Sequence, residues 1–253
     1  MALVHYAVQQ AIATVTLDSP GNRNALSSEL VGELLQHLQA ASADDEVRAV
    51  VLTHTGTTFC AGADVREQSA EGGPAAGTKR MLTLLRAVVE LHKPVVVRLD
   101  GHVRAAGIGV VGACDIALAG PQTTFAFTEV RLGLAPAIIS LTTLGRMSER
   151  AAARYYLTGE TFDAPAAAES GLVTRAVEDV DTELAAVCEA LRGCSPQGLA
   201  ETKRLTTTTT RAALTSQAAT VQALSQRLFE SAEAREGMTA FLEKRPPAWT
   251  PDS

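Results

Sequence analysis

Two short runs constrain the architecture of this 253-residue chain more than any other feature: residues 47–53, Val-Arg-Ala-Val-Val-Leu-Thr, and residues 94–99, Pro-Val-Val-Val-Arg-Leu. Both are β-branched and nearly continuously apolar, the pattern of strands covered on both faces. Such strands belong inside a parallel sheet, and parallel neighbours need a crossover between them. Residues 81–91 supply a helical pattern for that crossover, while residues 71–77, Glu-Gly-Gly-Pro-Ala-Ala-Gly, have the composition of a mobile loop. Strand, loop, helix and strand form a βαβ unit, so the expected fold class is α/β.

A second unit follows. Residues 99–101 lead into an Ala/Gly-rich segment, 104–113, whose small side chains suit a helix pressed closely on its neighbours, and residues 114–119 read as the next strand. Upstream, residues 3–8 and 11–17 alternate apolar with polar and form an opening hairpin, broken by Asp18-Ser19-Pro20-Gly21-Asn22. Leu30, Leu34, Leu35 and Leu38 then recur at helical spacing, with Ser27 or Ser28 placed to cap the first turn. Beyond Thr161 the pattern is mostly helical, over 181–192, 196–204, 212–231 and 233–243, with a short extended stretch at 172–177. The threonine run 206–210 reads as a local helix irregularity rather than a disordered tract.

Charge and composition exclude several classes. A net charge of −6 argues against a general nucleic-acid surface, although a local basic cluster could still meet a phosphorylated ligand. No apolar run approaches the roughly 18 to 20 residues of a bilayer span, and the N-terminus lacks the pattern of a secretory leader. The four cysteines, Cys60, Cys114, Cys188 and Cys194, lack metal-ligand or framework spacing, so a reducing cytoplasm is expected and a zinc site is not. None of the five histidines sits in a ligand or triad spacing, and no metal is expected.

The loop Phe59-Cys60-Ala61-Gly62-Ala63-Asp64 sits at the end of the first buried strand. Small side chains there leave backbone N–H groups accessible, and rigid, dry N–H donors can bind the oxygen of a carbonyl as it gains charge. Ala and Gly after a strand also describe an ordinary tight turn, so the loop needs context. The context is Asn24-Ala25-Leu26 before it, Asp100-Gly101 followed by Ala105-Ala106-Gly107 after it, and the ending Ala240-Phe241-Leu242-Glu243-Lys244-Arg245-Pro246-Pro247. Together these segments resemble the crotonase (enoyl-CoA hydratase/isomerase) superfamily over nearly the whole chain.

The resemblance implies a crotonase-like ββα spiral core over residues 1–195 and a C-terminal helical region over 196–253 that drives a homotrimer or dimer of trimers. It implies an acyl-CoA thioester as substrate, with coenzyme A part of that substrate and no separate cofactor. The oxyanion hole carries over onto the N–H groups of Ala63 and Ala106, the latter at a helix start where the dipole adds partial positive charge. Many members have Gly at the Ala106 position. Contacts to CoA carry over onto Ala25, Ala61, Asp64, Val65 and Arg66, with Arg66 near the phosphates, and onto Phe241 and Lys244, reaching the CoA of a neighbouring subunit. Asp64 reads first as a cap for the helix that follows it, ahead of a role in the chemistry.

The familiar hydratases of this superfamily use two glutamates. The position of the first, three residues after Ala106, is Gly109; the second is Glu129. Glu129 directly follows an apolar strand beside Val130 and Leu132, so partial desolvation should raise its pKa toward neutrality. A salt bridge to Arg131 or Arg104 is the structural alternative, and Asp115 reads as a structural hydrogen-bonding residue. Residues 125–140 resemble a single-glutamate branch acting on branched or bulky enoyl-CoA esters. The expected activity is an enoyl-CoA hydratase, with a Δ3,Δ2-enoyl-CoA isomerase and a non-catalytic acyl-CoA-binding trimer as alternatives. The pocket walls should come from residues 65–90 and from those after Pro136.

Overall fold

The structure, a computed structural model, describes residues 2–64, 67 and 73–251. Strands β1 (Val4–Gln9) and β2 (Ile12–Leu17) pair antiparallel from Val4 against Leu17 to Gln9 against Ile12. Gln10 and Ala11 between them both have positive φ, 47° and 62°, the backbone of a two-residue turn that matches strand twist. Ser27 caps α1 (Ser28–Ala43) by accepting the Leu30 N–H.

The chain then alternates between two sheets. Strand β3 (Ala49–His54) lies in the first and β4 (Thr58–Cys60) in the second, and α2 (Gly73–Glu90) completes that unit. Strands β5 (Val95–Leu99) and β6 (His102–Arg104) repeat the pattern ahead of α3 (Ala106–Ala113). Strands β7 (Ile116–Ala119) and β8 (Thr124–Ala126) repeat it once more. With the short strands β9 (Phe162–Asp163) and β10 (Arg175–Ala176), the sheets run β1-β2-β3-β5-β7-β10 and β4-β6-β8-β9. This succession of ββα units is the spiral that the resemblance implies.

Both faces of the larger sheet are covered, as the apolar runs require. Val50, Leu52, Val95 and Val97 enter the main core, whereas Val51 and Val96 pack on the other side with Val180 and Cys188. Between the sheets and the C-terminus lie α4 (Ser140–Thr143), α5 (Glu149–Thr158), α6 (Ala164–Ser170) and α7 (Val180–Arg192), the last supplying Val180 and Cys188. Four more helices close the chain: α8 (Pro196–Thr206), α9 (Thr208–Ser216), α10 (Ala218–Phe229) and α11 (Ala232–Glu243). Helices α9 and α10 pack on α2, and α11 packs on the 3₁₀ turn Thr128–Leu132. Among the described residues no helix is long and apolar enough to cross a membrane.

Three sequence expectations change. The helix expected from residue 81 starts at Gly73, so of the segment read as loop only residues 71 and 72 lie outside the described residues; a proline is well tolerated in a first turn, where its missing N–H has no partner to lose. The helix expected over 212–231 is two helices broken at Gln217. Strands β4 and β6 were not anticipated, because three residues are too few to show a period. The threonine run behaves as expected: Thr207 leaves helical geometry between α8 and α9 while its Oγ1 donates to Lys203 O at 2.6 Å.

Candidate active site

The loop after β4 has its backbone groups assigned almost completely. Ala61 N–H donates to Arg23 O at 3.0 Å, Gly62 N–H to Cys60 Sγ at 3.3 Å, and Leu26 N–H to Gly62 O at 2.8 Å. Ala63 forms an isolated parallel bridge with Leu26 that uses the peptide groups flanking Ala63 rather than its own N–H. That N–H finds no acceptor among the described residues, and Ala63 faces a cavity.

The second donor is supplied by a bend at the start of α3. Ala105 has φ 46° and ψ −121°, a conformation costly for a residue with a Cβ, and the chain turns there so that Ala106 opens the helix. The Ala106 N–H is then one of the unpaired donors of a helical first turn, reinforced by the helix dipole. The two halves interlock. A Cβ on Gly62, whose φ is +101°, would lie 3.0 Å from Ala105 Cβ and 3.7 Å from Ala106 N; one on Gly107 would lie 2.7 Å from Cys60 Cβ. Cys60 is fully buried, and burial pushes its thiol up to about 12, so its part is packing rather than nucleophilic chemistry.

Glu129 stands on the 3₁₀ turn beyond β8. Burial raises its pKa to about 7, against a smaller opposing pull from its own backbone N–H. Its Oε2 is buried without a hydrogen-bond partner among the described residues. The alternative reading of Glu129 as an ion-pair member is not realised: Arg104 donates instead to Val103 O, Thr124 O and Thr124 Oγ1 at 2.7–2.9 Å, and no bridge joins Glu129 to Arg131 among the described residues. Asp115 is structural as expected, accepting Val95 N–H and Lys203 Nζ at 2.7 Å each.

Ala63, Ala106 and Glu129 share one cavity of about 490 Å³, together with Ala61. Its walls are otherwise largely apolar, with Met81 from α2, residues 134–139, and Phe229, Met238 and Phe241 from the C-terminal helices, while Arg23, Arg104 and Arg131 also line it. Other predicted residues fall elsewhere. Ala25 is buried outside the cavity wall, and Asp64 lines a small adjoining pocket with Leu26, Val31 and Arg80. Val65 and Arg66 lie outside the described residues, as does the start of the segment that Asp64 was expected to cap. Phe241, 56% exposed, lines this chain's own cavity, whereas Lys244 ends α11 at φ 56° and does not line it.

The residue that sequence reasoning missed is Ile139. A Cβ on Gly109 would lie 2.4 Å from Ile139 Cγ2 and 3.2 Å from Met81 Cε, so the room beside α3 at that level is already filled. The stretch after Pro136 was expected in the wall, but nothing in its spacing singles out Ile139. Among the described residues no group of three His, Cys, Asp or Glu could hold a metal.

Two unpaired peptide donors and a carboxyl of raised pKa around a largely apolar cavity, on a ββα spiral, define a protein of crotonase type. Residues 7–252 match the family model described as enoyl-CoA hydratase/isomerase, and the chain belongs to that family. It is 34% identical to a protein of Rhodobacter capsulatus named as a probable enoyl-CoA hydratase, over 98% of this chain and 97% of that one. It is 29% identical to the 2,3-dehydroadipyl-CoA hydratase of Escherichia coli, over 94% and 95%. A crystal structure of an enoyl-CoA hydratase from Mycobacterium avium superposes with a TM-score of 0.93 at 53% identity, covering 99% of this chain and all of the other.

Proposed function

We propose that this protein is an enoyl-CoA hydratase in which the Ala63 and Ala106 N–H groups hold the thioester oxygen and Glu129 moves the protons. The observation that carries the reading is the partnerless Oε2 of Glu129 in the same cavity as two unpaired donors. Ionised Glu129 takes a proton from water as the water oxygen bonds to the β-carbon. The electrons of the double bond move onto the thioester oxygen, where two positioned donors offset the charge. The same carboxyl, now protonated, returns a proton to the α-carbon. Names of relatives that act on enoyl-CoA esters support this reading.

A second reading is a Δ3,Δ2-enoyl-CoA isomerase, favoured by Ile139 against Gly109: Glu129 is the one carboxyl lining the cavity among the described residues, and one carboxyl suffices to carry a proton between two carbons. Incubation with crotonyl-CoA in isotopically heavy water separates the two. Solvent oxygen in the product is the expected outcome; no oxygen uptake, with double-bond migration in a 3-enoyl thioester, supports isomerisation alone. Glu129→Gln that retains full turnover would remove the carboxyl from either scheme.

A further inference from the structure

We propose that Ile139 sets the partition of this site between adding water and moving a proton from carbon to carbon, because its side chain fills the space against Gly109 and keeps water off that side of the reacting carbons. The inference rests on the acyl-thioester reading above and adds to it a residue that decides the outcome.

Gly109 lies one turn beyond Ala106 on α3 and is buried. The place its own side chain would take is held by Ile139, whose Cγ2 and Cβ come within 2.4 and 2.8 Å of a Cβ built there, with Met81 Cε 3.2 Å away. Ile139 is itself fixed. It is 3% exposed, and its carbonyl accepts Thr143 Oγ1 at 2.7 Å. Thr142 Oγ1 lies 2.9 Å from Gly109 O and 3.2 Å from Ile139 O and donates to these backbone carbonyls. Both hydroxyls are thus buried and turned toward main-chain carbonyls. A held water needs two to four polar partners, and this wall offers hydrocarbon.

The two reactions differ in their need for that water. In hydration the water oxygen bonds to C3 of a 2-enoyl thioester, a water proton passes to the Glu129 carboxylate, and the C2=C3 pair moves to the thioester oxygen. The Glu129 acid then protonates C2. In isomerisation the carboxylate takes a proton from C2 of a 3-enoyl thioester, giving a dienolate on the same oxygen, and the acid delivers that proton to C4. Neither needs an oxidant, and only the first needs a water seated beside the chain. An apolar Ile139 therefore slows hydration selectively.

The test compares kcat/KM for a 2-enoyl and a 3-enoyl CoA thioester in wild type, Ile139→Ala and Ile139→Ser, with uptake of heavy solvent oxygen as a second readout. The ratio of hydration to isomerisation should rise about tenfold in Ile139→Ser, which opens the wall and supplies a hydroxyl to a water, the scale of one gained hydrogen bond. It should stay at the wild-type value in Ile139→Ala, whose apolar space stays dry. Met81→Ser supplies a hydroxyl to the same wall from α2 and should move the ratio in the same direction if Ile139→Ser does not fold. Both rates falling together at an unchanged ratio in Ile139→Ser would overturn the proposal and leave Ile139 as core packing. Wild type turning over neither thioester would instead sink the acyl-thioester reading, and the partition with it.

Discussion

Glu129 keeps its proton to about pH 7 in the folded chain, where burial disfavours the charge, and releases it near the ordinary value of 4.5 when unfolded. Between those two values the folded protein binds more protons, so this group's contribution to stability falls as pH rises and is fully lost above about 7. Glutamine takes no part in that titration. Glu129→Gln should therefore be the more stable form at pH 8, by about 1–3 kcal/mol after allowance for partial solvent contact, and should match wild type near pH 4; thermal melts at the two pH values read the difference. Activity runs the other way. It needs the ionised form to accept a proton, so kcat/KM should rise through an apparent pKa near 7 and level off. Glu129→Gln should lose about 10² to 10⁴-fold. A variant both destabilised and active would contradict the whole account of this residue.

At the scale of elements, the site depends on how closely one loop meets one helix. Gly62 has the positive φ that side chains resist, and a methyl there would press on Ala105 and approach the Ala106 N–H. Gly62→Ala should cost about 1–3 kcal/mol in urea unfolding and depress kcat more than KM, since the donors would no longer converge. The far end of the sheet is held by a different device. Lys203 on α8, 3% exposed in its side chain, reaches Asp115, Val88 O and Lys93 O, and its pKa is lowered by burial. Lys203→Ala leaves the Asp115 charge unpaired and should cost about 3–5 kcal/mol, measured by the same unfolding experiment. Elements with a clear pattern were legible in the sequence: the alternation of the first hairpin, the helical spacing of α1 with its capping Ser27, and the unbroken apolar runs of β3 and β5. Elements set by tertiary contact were not. Strands β4 and β6 exist because a second sheet gathers them, and the strain at Ala105 has no signature in residue types.

Over the whole molecule, the three residues that the structure brings to one cavity, Ala63, Ala106 and Glu129, could be named from the sequence, because they stand in short segments with distinct chemistry. The wall was less so, since Ile139, Met81 and Phe229 come from separated elements and are ordinary core types. Assembly is a further property at this scale. Leu157, Leu205 and Leu242 are 76%, 77% and 63% exposed, and the resemblance implies a trimer. Sedimentation should give three chains, or six, rather than one; a monomer at micromolar concentration would contradict that expectation. The most direct test of the central claim is a crystal structure with a non-reacting enoyl-CoA analogue. The thioester oxygen is expected about 2.7–3.1 Å from both the Ala63 and Ala106 N–H groups, with the α-carbon beside the Glu129 carboxyl. An analogue whose thioester lies away from those two donors would contradict the mechanism, whatever the fold.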